Sequence, residues 1–449
     1  MIDLLASANA WLNSLVWGPP MLVLLVGTGI LLTVVTGGVQ FRHLGTALGE
    51  VLGKLRRPSA GEGSVTPFQA VATALASTVG VGNIAGVATA IALGGPGALF
   101  WLWVSGVLGM ATKYSEVVVA LHYRERDDAG TMRGGAMYTL RRLGFPRLGS
   151  IFALLTALAA FGIGNMVQAN SVAHSLESSF GYSAPLVGMV LVVLTGAVIL
   201  GGLKRIAAFA EVLVPFMALV YLGGGLVVLL THAGAIPGAI RLVVDGAFSG
   251  TAAAGGFAGS TIMLAMRYGI ARGLFSNEAG LGSAPLVHAT ATTDHPVRQG
   301  MYGIFEVFVD TVLICTTTGL VILVTGAWET GETGAALSGK GFELGLPGTW
   351  GHLIVTLGLV LFAFSTIIGW SYYGETGIVY LLGARAALPY RLAWLVFIYL
   401  GAVGSLHLVW DIADTLNGLM AIPNLISVLL SIPLLRRLHR EFFDLRDQR

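Results

Sequence analysis

A cluster of glycines and one asparagine interrupts a long apolar segment between Thr78 and Gly86, which reads Thr-Val-Gly-Val-Gly-Asn-Ile-Ala-Gly. Inside hydrocarbon, backbone that leaves the helix must be satisfied by protein, water, ligand or ions. An unwound helix offers free N–H groups at one half and free carbonyls at the other, as in many transporters. Candidates for binding a carboxylate through N–H groups are Gly80, Gly82 and Asn83. Candidates for binding a cation or ammonium group through nearby carbonyls are Ala76, Thr78 and Val79.

Glycines alone favour a different interpretation, in which they only allow helices to pack closely. The spacing of Gly80 and Gly82 by two and the adjacent Asn83 favour a break instead. A second glycine-rich stretch, from Gly255 to Thr261, interrupts a later apolar segment. We therefore expect two broken helices, the best sequence indicator of a transporter site.

Asp310 is the most costly side chain to place in the membrane, at roughly 2.5–3.5 kcal/mol near the bilayer centre. We expect it to face the interior of the protein. Two functional roles are open to it: a ligand of a second sodium ion, together with Asn83 and Thr261, or a group that carries a proton. A structural hydrogen bond to a neighbouring helix is the alternative.

Two further sets of side chains are candidates for contacting a substrate. Asn165 and Gln168 are three residues apart and project near one helix face, where they either hydrogen-bond a substrate or bond a neighbouring helix. Phe257, Ile262 and Met263 are candidates for the wall of a side-chain pocket that excludes large substrates. Plain packing is the other interpretation of these three apolar residues.

The composition places these residues in a polytopic membrane protein. The 449 residues are 55% hydrophobic and 11% charged, whereas about a quarter of the residues in a soluble domain are charged. About eleven apolar stretches are each long enough to cross a core of roughly 30 Å as helix. These predicted spans lie near 15–37, 67–93, 98–121, 149–176, 184–202, 206–232, 251–272, 300–326, 351–381, 392–409 and 412–435.

The basic residues predict the orientation, since Lys and Arg collect in cytoplasmic loops close to the membrane. Threading the eleven spans with the C-terminus inside places every Lys and Arg except Arg241 and Lys340 on the cytoplasmic side. The N-terminus is then outside. The basic tail, residues 436–449, is interpreted as a membrane anchor of this kind rather than as a nucleic-acid patch.

Other functional classes lack their expected sequence features. There is no His-Glu-x-x-His metal pair, no Gly-x-Ser-x-Gly nucleophile motif and no phosphate-binding loop, which argues against an enzyme. A channel needs a continuous pore or a charged ring, and an amino-acid sensor normally carries a signalling domain. Cys315 is the only cysteine, which excludes an internal disulfide. No nucleic acid or obligate protein partner is expected.

The two broken spans head two blocks of five spans, and because five is odd the blocks have opposite topology. The predicted organisation has four parts: an external stretch, extra helix and linker, two five-helix repeats, and a basic cytoplasmic tail. Their boundaries are 1–66, 67–232, 233–435 and 436–449.

The sequence also resembles a known family. Residues 94–110, Gly-Gly-Pro-Gly-Ala-Leu-Phe-Trp-Leu-Trp-Val-Ser-Gly-Val-Leu-Gly-Met, match the signature of the alanine or glycine:cation symporters, also called the sodium/alanine symporter family. Residues 271–282, Ala-Arg-Gly-Leu-Phe-Ser-Asn-Glu-Ala-Gly-Leu-Gly, form a second run similar to that family. The resemblance extends over nearly the full length.

The resemblance implies a leucine-transporter fold, with one extra helix before the five-plus-five repeat, in a prokaryotic cytoplasmic membrane. It also implies sodium-coupled uptake of small neutral amino acids, alanine or glycine, by alternating access, with Na⁺ as the coupling ion and no organic cofactor. Proton coupling is the alternative within the same fold. Sodium prefers hard oxygen ligands, and the resemblance assigns the primary cation site to Ala76, Val79, Ser365 and Thr366.

The inner gate is predicted at the cytoplasmic end of the seventh span. There Arg272 is expected to pair with Glu278 or Glu375 when the gate is shut. In the alternative, the span breaks later, and Ser276 and Asn277 line the central site. Nearby, Lys113 and Glu116 are one turn apart in the third span and are predicted to form a local ion pair.

Overall fold

The structure is a computed structural model that describes residues 2–53, 60–249, 262–404 and 407–447. In the first half of the chain the helices are α1 Ile2–Val16, α2 Pro19–Val35, α3 Val39–Arg42, α4 Leu44–Gly53, α5 Pro67–Thr78, α6 Gly82–Gly94, α7 Ala98–His122, α8 Ala136–Arg142, α9 Pro146–Phe180, α10 Ala184–Ile199 and α11 Gly202–Thr231. In the second half they are α12 Ile236–Phe248, α13 Ile262–Asn277, α14 Pro285–His288, α15 Pro296–Val324, α16 Gly334–Gly345, α17 Trp350–Leu382, α18 Ala387–Val403, α19 His407–Leu430 and α20 Ile432–Asp447.

Shorter elements complete the description. A two-stranded antiparallel hairpin pairs β1 Glu125–Arg126 with β2 Met132–Arg133. Three 3-10 turns cover Ala233–Ala235, Ala327–Glu329 and Ala384–Ala386. Wider π-helical turns lie within α6, α9 and α15, at Gly82–Gly86, Ala160–Met166 and Phe308–Cys315. Such turns are often found at functional sites.

The helices confirm the prediction of an all-helical polytopic membrane protein. Within the described residues, eight helices are long and apolar enough to cross a membrane, and the bent pair α5 and α6 makes a ninth. The predicted fifth and seventh spans are represented by the 16-residue helices α10 and α13. The predicted break from Gly255 to Thr261 lies outside the described residues.

Local sequence explains why α5 begins where it does. The Thr66 side chain accepts from the Gln69 N–H, and the Gln69 side chain accepts from the Thr66 N–H, both at 3.1 Å. This capping box, with Pro67 in the first turn, satisfies N–H groups that otherwise have no partner. The start of α5 is therefore fixed, and its interruption 12 residues later has a defined position.

The interior is divided between two large apolar clusters. One surrounds Trp370, Tyr373 and Trp394, where α9, α17 and α18 meet. The other surrounds Tyr221 and Phe362, where α11 and α17 meet. Helices α5, α6 and α17 have residues that belong to, or pack against, both clusters. The place where α5 ends and α6 begins therefore lies between the two clusters.

Two ends of the structure can be distinguished by charge. The basic end holds the described segments 37–53, 60–66, 122–148 and 431–447, with more than half of the Lys and Arg in the described residues. The opposite end holds the junction of α1 and α2, the surface helix α12 and the helix α16.

Candidate functional site

The second span breaks between Thr78 and Gly82, where α5 and α6 meet at an angle of 53°. The Val79 N–H closes the last turn of α5 by donating to the Leu75 carbonyl at 2.8 Å. The next N–H, that of Gly80, donates instead to Asn83 Oδ1 at 2.9 Å. Among the described residues, the helical hydrogen bond to the Ala76 carbonyl is therefore not made, and that oxygen is available to a ligand.

A small cavity of about 20 Å³ lies beside this break. Of the residues singled out from the sequence, it brings together Thr78, Gly80, Gly82, Gln168, Glu278 and Thr366. It adds six that sequence reasoning did not select: Ser77, Val81, Ile163, Phe275, Trp370 and Asn417. A volume of this size holds about one water molecule, so an amino acid enters only if the walls separate.

Steric fit explains the glycine at position 80. A Cβ atom added to Gly80 would lie 2.6 Å from Thr366 Oγ1 and 3.7 Å from Gln168 Oε1. At Gly82, the added atom would lie 3.3 Å from the ring of Phe275. Both glycines therefore keep the backbone close to side chains from three other helices, at the place where a ligand has access to main-chain groups.

Gln168 carries an unused acceptor in this cavity. Its Nε2 donates to the Ile163 carbonyl at 3.0 Å, which fixes the direction of the amide. Its Oε1 is buried and has no hydrogen-bond partner among the described residues. A buried acceptor without a partner is costly, so an ammonium group placed there would find a ready partner.

Asn165 does not reach the cavity. Its Nδ2 donates to the Trp394 carbonyl at 2.8 Å and so joins α9 to α18. Asn165 therefore fits the alternative prediction, in which the side chain bonds a neighbouring helix instead of a substrate.

Ser365 and Thr366 lie on α17 directly against the end of α5. Both hydroxyls donate to the Phe362 carbonyl, at 2.8 and 2.9 Å, and both are near the Val79 carbonyl, at 3.5 and 3.4 Å. A hydroxyl whose hydrogen is directed at its own helix keeps lone pairs for a cation. With the Ala76 and Val79 carbonyls, the set contains only oxygen donors, which suits sodium.

Asp310 is fully buried and is surrounded by hydrogen-bond donors. Asn83 Nδ2 donates to its Oδ1 at 2.6 Å, Ser276 Oγ approaches both oxygens at 3.0–3.1 Å, and Thr311 Oγ1 donates to Oδ2 at 2.9 Å. Because Asn83 also accepts from the Gly80 N–H, one side chain links Asp310 to the break. Thr261, the other predicted ligand, lies outside the described residues.

The described interruption of the seventh span follows Asn277 rather than preceding Ile262. Helix α13 ends at Asn277, and residues 278–284 are not helical before α14 begins. Glu278, Gly280 and Gly282 have positive φ values of 56°, 94° and 78°. Ser276 and Asn277 bond to Asp310 and Thr311, as in the alternative with a later break.

Two of the three apolar residues predicted to wall the side-chain pocket lie elsewhere. Phe257 lies outside the described residues. Ile262 and Met263 are exposed on the surface of α13 and do not line the central cavity. The reason is the later break: these residues belong to the helical part of the span, more than three turns before Asn277.

The predicted gate pair is not formed. Glu278 accepts from Trp370 Nε1 at 2.9 Å and from Ser283 Oγ, and Glu375 pairs with Arg133 and Arg391. Arg272 lines a separate cavity with Trp17 and Asp414, away from the basic end. Arg272 was predicted at the cytoplasmic end of the seventh span, and this was wrong. Because the described break follows residue 277, Arg272 lies in the half of the span nearer the opposite end.

The ion pair predicted within α7 is also replaced by one between helices. Lys113 Nζ lies 3.3 Å from Glu306 Oε1 of α15, and His288 Nε2 lies 2.9 Å from Glu306 Oε2. Glu116 Oε1 instead accepts from the Gly280 N–H at 3.1 Å and from Asn424 Nδ2. Charged residues of two spans, α7 and α15, therefore lie near the segment 278–284.

Comparison with known proteins identifies the family of this chain. The model of the sodium:alanine symporter family matches residues 2–449. The chain belongs to the sodium:alanine symporter family. This confirms the resemblance stated from residues 94–110 and 271–282, and it makes the chain a membrane transporter rather than an enzyme.

Two relatives show the range of this symporter family. The sodium/alanine symporter AgcS of Methanococcus maripaludis is 50% identical over 439 residues, covering 96% of this chain and 95% of its own. The probable sodium/glutamine symporter GlnT of Bacillus subtilis is 40% identical over 422 residues, covering 93% and 86%. The substrates in the names of these relatives differ, so family membership supports sodium-coupled amino-acid symport without selecting the amino acid.

A solved structure gives the fold of this symporter-family chain independently. A Na⁺-coupled sialic acid symporter in a substrate-bound outward-open state is similar with a TM-score of 0.54 at 14% identity, covering 93% of this chain and 87% of that one. At this identity the likeness concerns the fold alone. It agrees with a bundle of membrane-spanning helices.

The symporter-family chain also has a wide cavity at the opposite end. It measures about 550 Å³ and is lined by α6, α9, α16 and α17, with Val81 at its floor. Val81 lines the central cavity as well, so this side chain lies between the two cavities at the break. Helix α16 forms part of the rim and is fastened to α6 by the Ser338 hydroxyl, which donates to the Ile84 carbonyl at 2.8 Å.

Proposed function

We propose that this protein imports small neutral amino acids, alanine or glycine, together with sodium by alternating access. The observation that carries the proposal is the break between Thr78 and Gly82, where main-chain groups, Gln168 and the Thr366 hydroxyl of α17 share one cavity. A zwitterion needs partners for two opposite charges at short range, and a broken helix provides both N–H groups and carbonyls there.

The substrate carboxylate is proposed to bind the Gly82 N–H at the start of α6, and the N–H groups of Gly80 and Asn83 join it when they leave their present acceptors, Asn83 Oδ1 and the Gly80 carbonyl. The positive end of this half-helix favours an anion. Gln168 Oε1, which has no partner among the described residues, is proposed to accept from the ammonium group. Phe275 and Trp370 then leave room for only a small side chain, which favours alanine and glycine over larger amino acids.

Sodium is proposed to bind between the Ala76 and Val79 carbonyls and the hydroxyls of Ser365 and Thr366. The hydroxyls of Ser365 and Thr366 lie 3.5 and 3.4 Å from the Val79 carbonyl. Because these oxygen atoms belong to two helices, a bound cation would draw α5 and α17 together. Asp310 with Asn83 is proposed as a second cation site, and Ser276 joins it. Sodium binding orders the backbone between Thr78 and Gly82, and the ordered backbone then binds the substrate.

The architecture is proposed to be leucine-transporter-like, with α5–α6 and α13–α14 as the broken first members of two inverted repeats after the helix formed by α1 and α2. The basic end is proposed to face the cytoplasm of a prokaryotic cell, as the positive-inside rule predicts. The 550 Å³ cavity then opens outward and is the entry path for substrate.

The electrical driving force is sufficient for accumulation. One sodium ion entering down a potential of about 100 mV, inside negative, releases about 2.3 kcal/mol before any concentration term. A neutral zwitterion moved together with that ion gains the same free energy. Because about 1.4 kcal/mol corresponds to a tenfold concentration ratio, a single coupled ion supports a gradient of more than about tenfold.

The test is uptake of radiolabelled alanine into liposomes that contain the purified protein, with and without an inward sodium gradient. Thr366→Ala is the site variant, and Thr195→Ala is its control, since Thr195 is equally buried but lies in α10. We expect sodium-dependent uptake in the wild type and the control, and at least about tenfold less in Thr366→Ala.

A proton gradient in place of sodium tests the alternative coupling ion. Uptake driven equally well by protons alone would contradict sodium coupling and assign the coupling role to Asp310. Absence of alanine and glycine uptake under either gradient would contradict the proposed substrate.

A further inference from the structure

A second cavity, of about 160 Å³, lies between α1, α13 and α19 at the end opposite the basic loops. We propose that it is an additional binding site for a zwitterionic amino acid, in which the Arg272 guanidinium holds the carboxylate and the Asp414 carboxylate holds the ammonium group. The proposal rests on the proposed function for the identity of the ligand. Its volume is about five times the roughly 30 Å³ that a water molecule occupies in the liquid, which suits a molecule as small as alanine.

Arg272 has the properties of a group that awaits an anion. It is half-buried on a membrane-spanning helix, and among the described residues it makes no hydrogen bond and no ion pair within 4 Å. Its guanidinium lies over the Phe275 ring at 5.8 Å from the centroid. An intramembrane arginine is costly and indicates function, and its planar donors fit a carboxylate in bidentate fashion. Arg267 lines the same cavity and adds positive charge.

Asp414 is held in place on the other wall. Asn13 Nδ2 donates to Asp414 Oδ2 at 3.1 Å and to Thr415 Oγ1 at 3.0 Å. Trp17 Nε1 donates to the Asp414 carbonyl at 3.1 Å. The first helix therefore orients this carboxylate, and Trp17, in the turn between α1 and α2, holds the main chain beside it. The Oδ1 atom of Asp414 has no hydrogen-bond partner among the described residues. A preoriented carboxylate binds a ligand with a smaller entropic cost.

The two charges share one cavity without forming a direct ion pair. Arg272 and Asp414 both line it, yet no ion pair joins them within 4 Å across the part of the chain that the structure describes. Opposite charges held apart across a cavity match a ligand that carries both charges. A monovalent anion would satisfy Arg272 but would be repelled by Asp414, so the charge pattern favours a zwitterion over a simple anion.

The position of the cavity gives the site a role in transport. Phe275 lines both this cavity and the central one, and its ring packs against Gly82. A ligand held by Arg272 is therefore separated from the break of the second span by one aromatic side chain. Arg272 also lies one helical turn before Ser276, which bonds to Asp310. Movement of this part of α13 would affect both sites.

The experiment measures equilibrium binding of radiolabelled alanine to the purified full-length protein in detergent, with saturating sodium. We expect the wild type to bind a second equivalent of alanine per chain, and we expect Arg272→Gln and Asp414→Asn to lose that equivalent or weaken it by about tenfold or more. Arg241→Gln is the matched control, because Arg241 is exposed at the same end and pairs only with Asp245 within α12. Size-exclusion profiles verify that each variant is folded.

Competing ligands test the charge requirement. Alaninamide lacks the carboxylate and propionate lacks the ammonium group, and we expect neither to displace the second equivalent. Displacement by propionate or chloride as effective as that by alanine would overturn the proposal in favour of an anion site. A single equivalent in the wild type, with unchanged affinity in Arg272→Gln, would also overturn it.

Asn13→Ala separates positioning from charge. It keeps both charged groups and removes the donor that holds Asp414. We expect weaker binding of the second equivalent, by a few-fold, with full occupancy at high alanine concentration. Unchanged affinity in this variant would contradict the role of the first helix.

Failure of this inference is distinguishable from failure of the proposed function. If only the additional site is wrong, one sodium-dependent equivalent of alanine remains and Thr366→Ala abolishes it. If the proposed function is wrong, no alanine binding depends on sodium in any variant.

Discussion

Within the described parts of its spans the chain leaves the helix at two places, and different groups satisfy the backbone at each. Between Thr78 and Gly82 the partner is local: the Gly80 N–H bonds to the side chain of Asn83, three residues away. Over residues 278–284 one partner is local, because the Ala279 N–H bonds to Asn277 Oδ1 at 3.0 Å, but distant partners are added: Glu116 accepts from the Gly280 N–H, and Asn424 donates to the Gly280 carbonyl at 2.9 Å. The second break is therefore fastened to α7 and α19.

This difference indicates two kinds of broken helix. The first break leaves carbonyls and a glutamine oxygen available to a ligand, so its backbone is a binding surface. At the second break the N–H and the carbonyl of Gly280 are occupied by side chains of other spans, so this break is a joint fastened to α7 and α19. Backbone at membrane depth tolerates both arrangements because each polar group has, or can obtain, a partner.

The largest effect is expected at the binding surface. Gly80→Ala places a Cβ atom 2.6 Å from Thr366 Oγ1, so the side chain fills the cavity and displaces the hydroxyl. Overpacking of this kind costs about 1–3 kcal/mol, and we expect alanine uptake in liposomes to fall by at least about tenfold.

Gly86→Ala is the matched control, since an added Cβ at Gly86 meets no atom within 4 Å. We expect its uptake to equal that of the wild type. Equal loss in both variants would mean that flexibility of α6, rather than space at Gly80, limits transport.

A smaller effect, on stability, is expected at the joint. Glu116→Ala leaves the Gly280 N–H and the Asn424 amide without this acceptor, a loss of about 1–3 kcal/mol. Glu116→Gln keeps an oxygen at the same position. We expect the melting temperature to fall in Glu116→Ala and to remain near the wild-type value in Glu116→Gln.

Cys315 provides the measurement, because it is the only cysteine and is buried. A thiol-reactive fluorophore then reports unfolding as temperature rises. Equal melting temperatures for wild type and Glu116→Ala would show that the segment 278–284 is held by packing alone.

Sequence reasoning located the first break because its cause is local. Two glycines spaced by two beside an asparagine are visible in an apolar run, and Gly80, Gly82 and Gln168 do line one cavity. Phe275, Trp370 and Asn417 were not selected, since an aromatic residue or an amide in a span carries no sign of the direction in which it points.

The second break could not be located in the same way. The predicted stretch from Gly255 to Thr261 lies outside the described residues, whereas the break after Asn277 depends on Glu116 and Asn424, each more than 140 positions away along the chain. Pairings of this range leave no local pattern. The resulting error in depth also placed Arg272 at the wrong end of its span.

The smallest effect concerns the helix that holds α7 at the joint. His439 of α20 shares a hydrogen bond of 2.8 Å with the Tyr114 hydroxyl, two residues from Glu116. Burial, with smaller contributions from the nearby His43 and Arg440, lowers the pKa of His439 to about 4. An unfolded histidine has a pKa of about 6.5, so between about pH 6.5 and pH 4 the unfolded chain binds the additional proton and the free energy of unfolding falls as pH falls.

His439→Gln removes this proton uptake while keeping a hydrogen-bonding side chain. We expect the melting temperature of the wild type to drop between pH 7.5 and pH 5 by about 1–2 °C more than that of the variant, a small difference because α20 is partly exposed to solvent. His295, whose pKa is also lowered chiefly by burial, is present in both proteins, so the difference isolates His439. Parallel pH profiles would mean that the C-terminal helix does not contribute to holding α7, and the joint would then depend on Glu116 and Asn424 alone.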